Sequence, residues 1–219
     1  MKEKNNKTNT LLLTVIAVAT LMVAVIGATF AYFTASTSGG ESASTIKLAA
    51  GLLKIDFADG SESVLLEKTN IEPSTDPIIT KTFTVTGTNT TTGTTMPYSL
   101  SLVVQNNTFR VNNNDGITST DPGYDASNPR IGGLAYTLES TNNDNNGTVA
   151  TSVSTRTDIP YGASTVALGN GNFTTATSKK HTYVLKIYFY NEADINQDVN
   201  KVKSFAAYVK VESQEITTN

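Results

Sequence analysis

The chain has no cysteine and no tryptophan, a single histidine, and little charge: 16% of its 219 residues are Asp, Glu, Lys or Arg. Each shortage closes off a class of chemistry. Without cysteine there is no disulfide, no thiolate nucleophile and no Cys-based zinc site, so stability rests on packing and hydrogen bonds. With one histidine, a His-Glu-x-x-His metal site cannot be built. A Ser-His-Asp triad could recruit only His181. That residue lies between Lys180 and Thr182 at the start of a predicted strand, with no motif around it, and is expected to be an ordinary surface residue. Lys and Arg are scattered and the net charge is −3, so no basic patch suggests a nucleic-acid partner. The readings are no catalytic residues, no cofactor and no enzyme.

One long apolar run is present, at the start. Lys2, Lys4 and Lys7 precede it, it extends from Leu11 to Phe33, and no charge follows until Glu41. Lysines before the run hold the N-terminus in the cytoplasm and direct the rest of the chain outside. As a helix, Leu11 to Phe33 would span roughly 34 Å, enough to cross a bilayer and remain as an anchor. The alternative is a cleaved signal peptide, with Thr29-Phe30-Ala31 supplying the small residues before a cut between Ala31 and Tyr32. The partners implied are a signal peptidase and, before or without cleavage, the membrane. The domain reading is an export or anchor helix over 1–33, a flexible Ser/Thr/Gly linker over 34–45, and a β-domain over 46–219. Val211 to Asn219 carries no Leu-Pro-x-Thr-Gly sortase motif, so anchoring by that route is not expected.

Past residue 33 no stretch keeps helical periodicity, and period-two alternation recurs instead. Leu53, Ile55 and Phe57 alternate with Lys54 and Asp56. Asp59-Gly60 reads as a turn, with a short return over Val64 to Leu66. Pro73 and Pro77 bracket a loop. Ile79, Phe83 and Val85 face one way, and Thr80, Thr82, Thr84 and Thr86 the other. A Thr/Gly turn over 88–95 leads to Tyr98, Leu100, Leu102 and Val104. Residues 105–130 read as a long Asn/Asp/Gly/Pro loop, followed by Leu134, Tyr136 and Leu138. Asn146-Gly147 and Asn170-Gly171 read as turns. Two strong strands follow, one with Tyr183, Leu185, Ile187 and Phe189 inward, the other with Phe205, Ala207, Val209 and Val211. Many short strands separated by turn signals, in a Thr-rich chain, predict an antiparallel β-sandwich.

Weaker candidates come from loops and faces. Asp194, Asn196 and Asp198 alternate oxygens as calcium ligands do, but Val199 stands where a calcium loop has glycine. Asn142, Asp144, Asn146 and Gly147 match the first half of such a loop, and its twelfth position is Val153. For both, a solvated turn is the expected outcome. The Thr80–Thr86 row is expected to be a solvent face. Tyr188, Tyr190 and Tyr208 lie opposite the core face, either as an exposed patch for a partner or as a second buried layer. The apolar run Tyr183 to Tyr190 is expected to be central and protected.

Several of these segments together resemble a known group. They are Ala28-Thr-Phe-Ala-Tyr-Phe33, the Ser/Thr/Gly linker, Leu53-Lys-Ile-Asp-Phe57, Lys81-Thr-Phe-Thr-Val-Thr-Gly-Thr88, Tyr183-Val-Leu-Lys-Ile-Tyr-Phe189, and Ser204 to Val211. The chain is similar to the TasA/camelysin group of Gram-positive surface and biofilm-matrix proteins, whose export signals are cut by a SipW-type signal peptidase. The resemblance implies a jelly-roll sandwich and a structural subunit that joins copies of itself by lending an N-terminal strand. The long 105–130 loop and the Asn/Thr richness depart from that group. Camelysin-type proteins have been associated with proteolysis, and this chain offers no residue set for it. The function expected is an exported cell-surface or matrix protein that self-associates; the alternative is a membrane-tethered binding module whose loops, 105–130 above all, contact a ligand.

Overall fold

The computed structural model describes residues 44–48, 51–66, 71–214 and 217–218. The chain divides into two units at Glu41/Ser42, and the second, Ser42–Asn219, holds all the described residues. The export segment, with Ala31 and Tyr32, lies outside them. Among the described residues no helix is long and apolar enough to cross a membrane.

Alternating sequence becomes strand because one face can then be buried and the other solvated. Among the described residues eleven strands form: β1 (Ser44–Leu48), β2 (Gly51–Phe57), β3 (Ser63–Leu66), β4 (Ile79–Asn89), β5 (Thr94–Asn107), β6 (Leu134–Asn142), β7 (Val153–Asp158), β8 (Ser164–Thr174), β9 (Ala176–Phe189), β10 (Phe205–Ser213) and β11 (Thr217–Thr218). The helix among the described residues is a single 3-10 turn, Asp198–Asn200. One sheet runs β1-β2-β4-β9-β6-β7; the other runs β11-β5-β10-β3, with β8 also on β5, and every pairing is antiparallel. The chain is therefore an all-β protein built as a β-sandwich.

The inward faces meet as expected. Leu53, Phe83, Val85, Tyr183, Leu185, Ile187 and Phe189 from one sheet pack with Tyr98, Leu100, Leu102, Phe205, Ala207 and Val209 from the other, each at most 2% exposed. Burying a side chain of that size stabilises by about 1.5–3 kcal/mol, so this layer supplies the main cohesive energy. β9 lies between β4 and β6, which protects the most aggregation-prone run.

One return reading and one turn reading fail. The Asp59-Gly60 turn forms, with Gly60 at φ 75° and its N–H on the Phe57 carbonyl (3.0 Å). The segment after it does not return onto β2, because β1 and β4 already occupy both edges of β2. β3 crosses instead to the second sheet and pairs with β10. Asn170-Gly171 is not a turn: it lies inside β8, paired to Ser99 and Tyr98 of β5. Glycine is there for space, since a Cβ at Gly171 would lie 2.4 Å from Tyr98 Oη. The 105–130 loop is ordered by its own side chains. β5 runs on to Asn107, Asp115 Oδ2 accepts the Val111 and Asn112 N–H groups (2.7 and 2.9 Å), and Phe109 is fully buried against Phe189.

Candidate functional site

The outer face of the first sheet carries a cleft of about 460 Å³. Residue size along three neighbouring strands makes it. On β6 the outward residues are small (Ala135, Thr137), with Gly133 just before the strand. β9 on one side presents Tyr188, with Tyr190 just after the strand, and β7 on the other presents Ser154, Arg156 and Asp158. A row of small side chains between two rows of large ones leaves a trough.

Its charges are organised. Arg130 donates to both Asp158 oxygens and to Glu192 Oε1, and these two carboxylates, Asp158 first, push its pKa above the ordinary guanidinium value. Arg156 has no carboxylate partner among the described residues. Its guanidinium carbon sits 3.8 Å from the Tyr190 ring centroid and 4.7 Å from that of Tyr188, and its Nη2 donates to the Thr75 carbonyl (3.1 Å). Cation–π contact holds the arginine across the trough.

The tyrosines thus follow neither sequence reading. Tyr188 and Tyr190 are half-buried beneath Arg156, whereas Tyr208 lies on β10 in the other sheet, paired with Val103 and Ser63, so the three do not share a patch.

His181 is a correction. It is fully buried, because it sits two residues before Tyr183 and shares that residue's inward face. Its ring stacks on Phe173 with centroids 4.1 Å apart. Nε2 lies 2.8 Å from the Asn146 carbonyl, so that nitrogen carries the proton. Nδ1 lies 2.6 Å from Tyr98 Oη and must accept from it. Tyr98 Oη is 2.5 Å from Tyr183 Oη, which accepts from the Ala150 N–H (3.2 Å). One direction satisfies every group: Ala150 N–H to Tyr183, Tyr183 to Tyr98, Tyr98 to His181, His181 to Asn146. Burial drives the His181 pKa below its ordinary value, against the opposing pull of the Asn146 carbonyl and Asp144, and burial raises both tyrosines.

Lys81 alternates with Phe83 and Val85 and so shares their inward face. Its side chain is 3% exposed, reaches both Asp59 oxygens (2.8 and 2.6 Å) and lies over the Phe57 ring. Burial raises the Asp59 pKa, but the Lys81 and Ser61 hydrogen bonds together outweigh it and hold the carboxyl below its ordinary value.

The calcium candidates occupy an exposed loop. Asp198 pairs with Lys201 (2.9 Å), Asn196 Oδ1 accepts the Asp198 N–H (2.9 Å), and Asp194 adopts a φ of 63°. Among the described residues no group of three or more His, Cys, Asp or Glu side chains has the placement to hold a metal. In the other loop Asn142 Oδ1 accepts the Asn146 N–H, and Asp144 Oδ2 accepts the Lys180 N–H (2.7 Å). The Thr80–Thr86 row lies on the outer face of β4, with Thr80 exposed and the rest half-buried.

Comparison with protein families, with curated proteins and with solved structures finds no match to the chain.

Proposed function

We propose that this chain is an exported cell-surface or matrix protein of the TasA/camelysin kind, whose copies join by exchanging their N-terminal strand. The export segment and its Ala31–Tyr32 junction carry the extracellular half of this reading. The strand order supports its jelly-roll form. Strands β3 to β10 fall into two nested rows, β3-β10-β5-β8 and β4-β9-β6-β7, the arrangement of two interlocked Greek keys.

The observation that carries exchange is the position of β1. Among the described residues it is an edge strand, held by five residue pairs to β2 from Ser44↔Ile55 to Leu48↔Gly51, and the linker leads directly into it. Leu48 pairs with Gly51, so only Ala49-Ala50 connects the strands. Five pairs on one edge are all that a second copy must replace, and the β2 edge of that copy offers β1 the same five pairs.

The test uses the absence of native cysteine. Thr45 and Lys54 are direct partners across β1 and β2, so Thr45→Cys with Lys54→Cys creates one disulfide site. Oxidising the monomer of the chain beginning at Tyr32 should lock β1 in place and block assembly. Oxidising assembled material should give covalent multimers. Purely intramolecular crosslinks in assembled material, or a chain that stays monomeric at high concentration, would refute strand exchange.

A further inference from the structure

Strand exchange at β1 leaves the cleft over β6, β7 and β9 unused, at the opposite edge of the same sheet. We infer that this cleft binds an acidic saccharide, with Arg156 pairing the sugar carboxylate. Charge matching supplies the first argument. Asp158 and Glu192 are committed to Arg130, whereas Arg156 makes one hydrogen bond, to the Thr75 carbonyl. Its remaining N–H groups have no protein acceptor among the described residues, and a guanidinium fork matches a carboxylate with two parallel bonds. Tyr188 and Tyr190 already fix the guanidinium, so little side-chain freedom is lost when an anion arrives.

The rest of the lining selects the ligand class. Thr137, Ser154 and Thr155 offer hydroxyls, and the Asp158 and Glu192 carboxylates can accept from sugar hydroxyls while still paired to Arg130. Apart from the two tyrosine rings the walls present no large apolar side chain, so a peptide would find no pocket for its anchors. The cleft also opens on the face of the sheet, where β6 is paired to β7 and β9, so an extended peptide would gain no strand pairing from it. A volume of about 460 Å³ is in the range of small-ligand sites.

Isothermal titration of the purified full chain in neutral detergent with trigalacturonate tests this, beside neutral galactotriose and triglutamate. Trigalacturonate should bind, weakening as salt rises, and the two comparison ligands should bind at least about tenfold more weakly. Arg156→Ala should lower its affinity at least about tenfold, and Arg156→Lys, which keeps charge but not the fork, should fall between. An unchanged thermal midpoint in Arg156→Lys keeps that comparison valid should Arg156→Ala unfold. No binding of trigalacturonate, equal binding of galactotriose or triglutamate, or unchanged affinity in both Arg156 variants would overturn the inference. The cleft takes no residue from β1 or β2, so the outcome of this measurement is separate from that of the crosslinking test.

Discussion

Acid should destabilise this fold through one residue, and the buried hydrogen-bond chain gives the reason. A protonated His181 donates from both nitrogens, so Nδ1–H must point at Tyr98 Oη. Tyr98 must then turn its own proton toward Tyr183 Oη, which already accepts the Ala150 N–H. The Tyr183 proton is left without an acceptor, a cost of about 1–3 kcal/mol, in addition to the burial of an imidazolium. Both effects favour neutral His181 in the folded state, in line with its lowered pKa. The unfolded chain takes up the proton near pH 6.5. Below that pH, and down to the folded pKa, the unfolded state binds more protons, so stability falls as pH falls. Above about pH 7 stability should be flat in this term; below about 6.5 it should decline by at most roughly 1.4 kcal/mol per pH unit. Because His181 is the only histidine, no other imidazole contributes to this slope. Urea unfolding between pH 7.5 and 5, for wild type and His181→Phe, reads it. Glu62, which burial pushes up, contributes the opposite slope near the acid end, and the difference between the two proteins cancels it. Tyr98→Phe strands both His181 Nδ1 and the Tyr183 proton, about 2–6 kcal/mol, whereas Tyr183→Phe strands only the Ala150 N–H, about 1–3 kcal/mol. A flat difference profile, or the reverse order of these two variants, would refute the chain as drawn.

Three further outcomes follow from single contacts. Gly171→Ala places a Cβ 2.4 Å from Tyr98 Oη and should lower stability by about 1–3 kcal/mol, read as a reduced urea midpoint with unchanged m. Asp59→Ala leaves the nearly buried Lys81 ammonium unpaired and should destabilise by about 1–3 kcal/mol, whereas Lys81→Met, which fills the same space without charge, should be close to neutral in the same assay. Ala31→Leu should leave the export segment attached to membrane-bound protein, because signal peptidases need a small side chain before the cut; native extracellular protein that retains Lys2 by mass spectrometry would refute cleavage there.

The strands were legible because a half-buried strand must alternate, and each strong run did so: 53–57, 79–85, 98–104, 134–138, 183–189 and 205–211. The sheet to which each strand belongs was not legible. Alternation states that a strand has an inside but not which neighbour closes it, and so the return after Gly60 was assigned to β2 when it pairs with β10. Asn170-Gly171 misled for a related reason. The same dipeptide signals a turn when its backbone needs positive φ and a strand when its lack of a Cβ admits a tyrosine, and only the partner strand distinguishes the two.

The polar interior carries a signal in the sequence, but composition points the other way. Lys81 shares parity with Phe83, and His181 with Tyr183, so strict alternation already placed both inside. Composition argued against it, since lone charged or titratable residues are usually at the surface. Parity prevails here because each has a partner fixed by another element: Asp59 from the turn after β2, Tyr98 from the facing sheet, Asn146 from the loop after β6. Arg156 is the converse case. It lies on an edge strand whose other residues are mostly exposed, with nothing in its own segment to mark it. It becomes a site only because the end of β9 and the residue after it bring two tyrosines beneath it and β6 leaves room between. A group whose role depends on three strands far apart in sequence cannot be read from any one of them, and that is why both the buried relay and the cleft emerge only from the folded sheets.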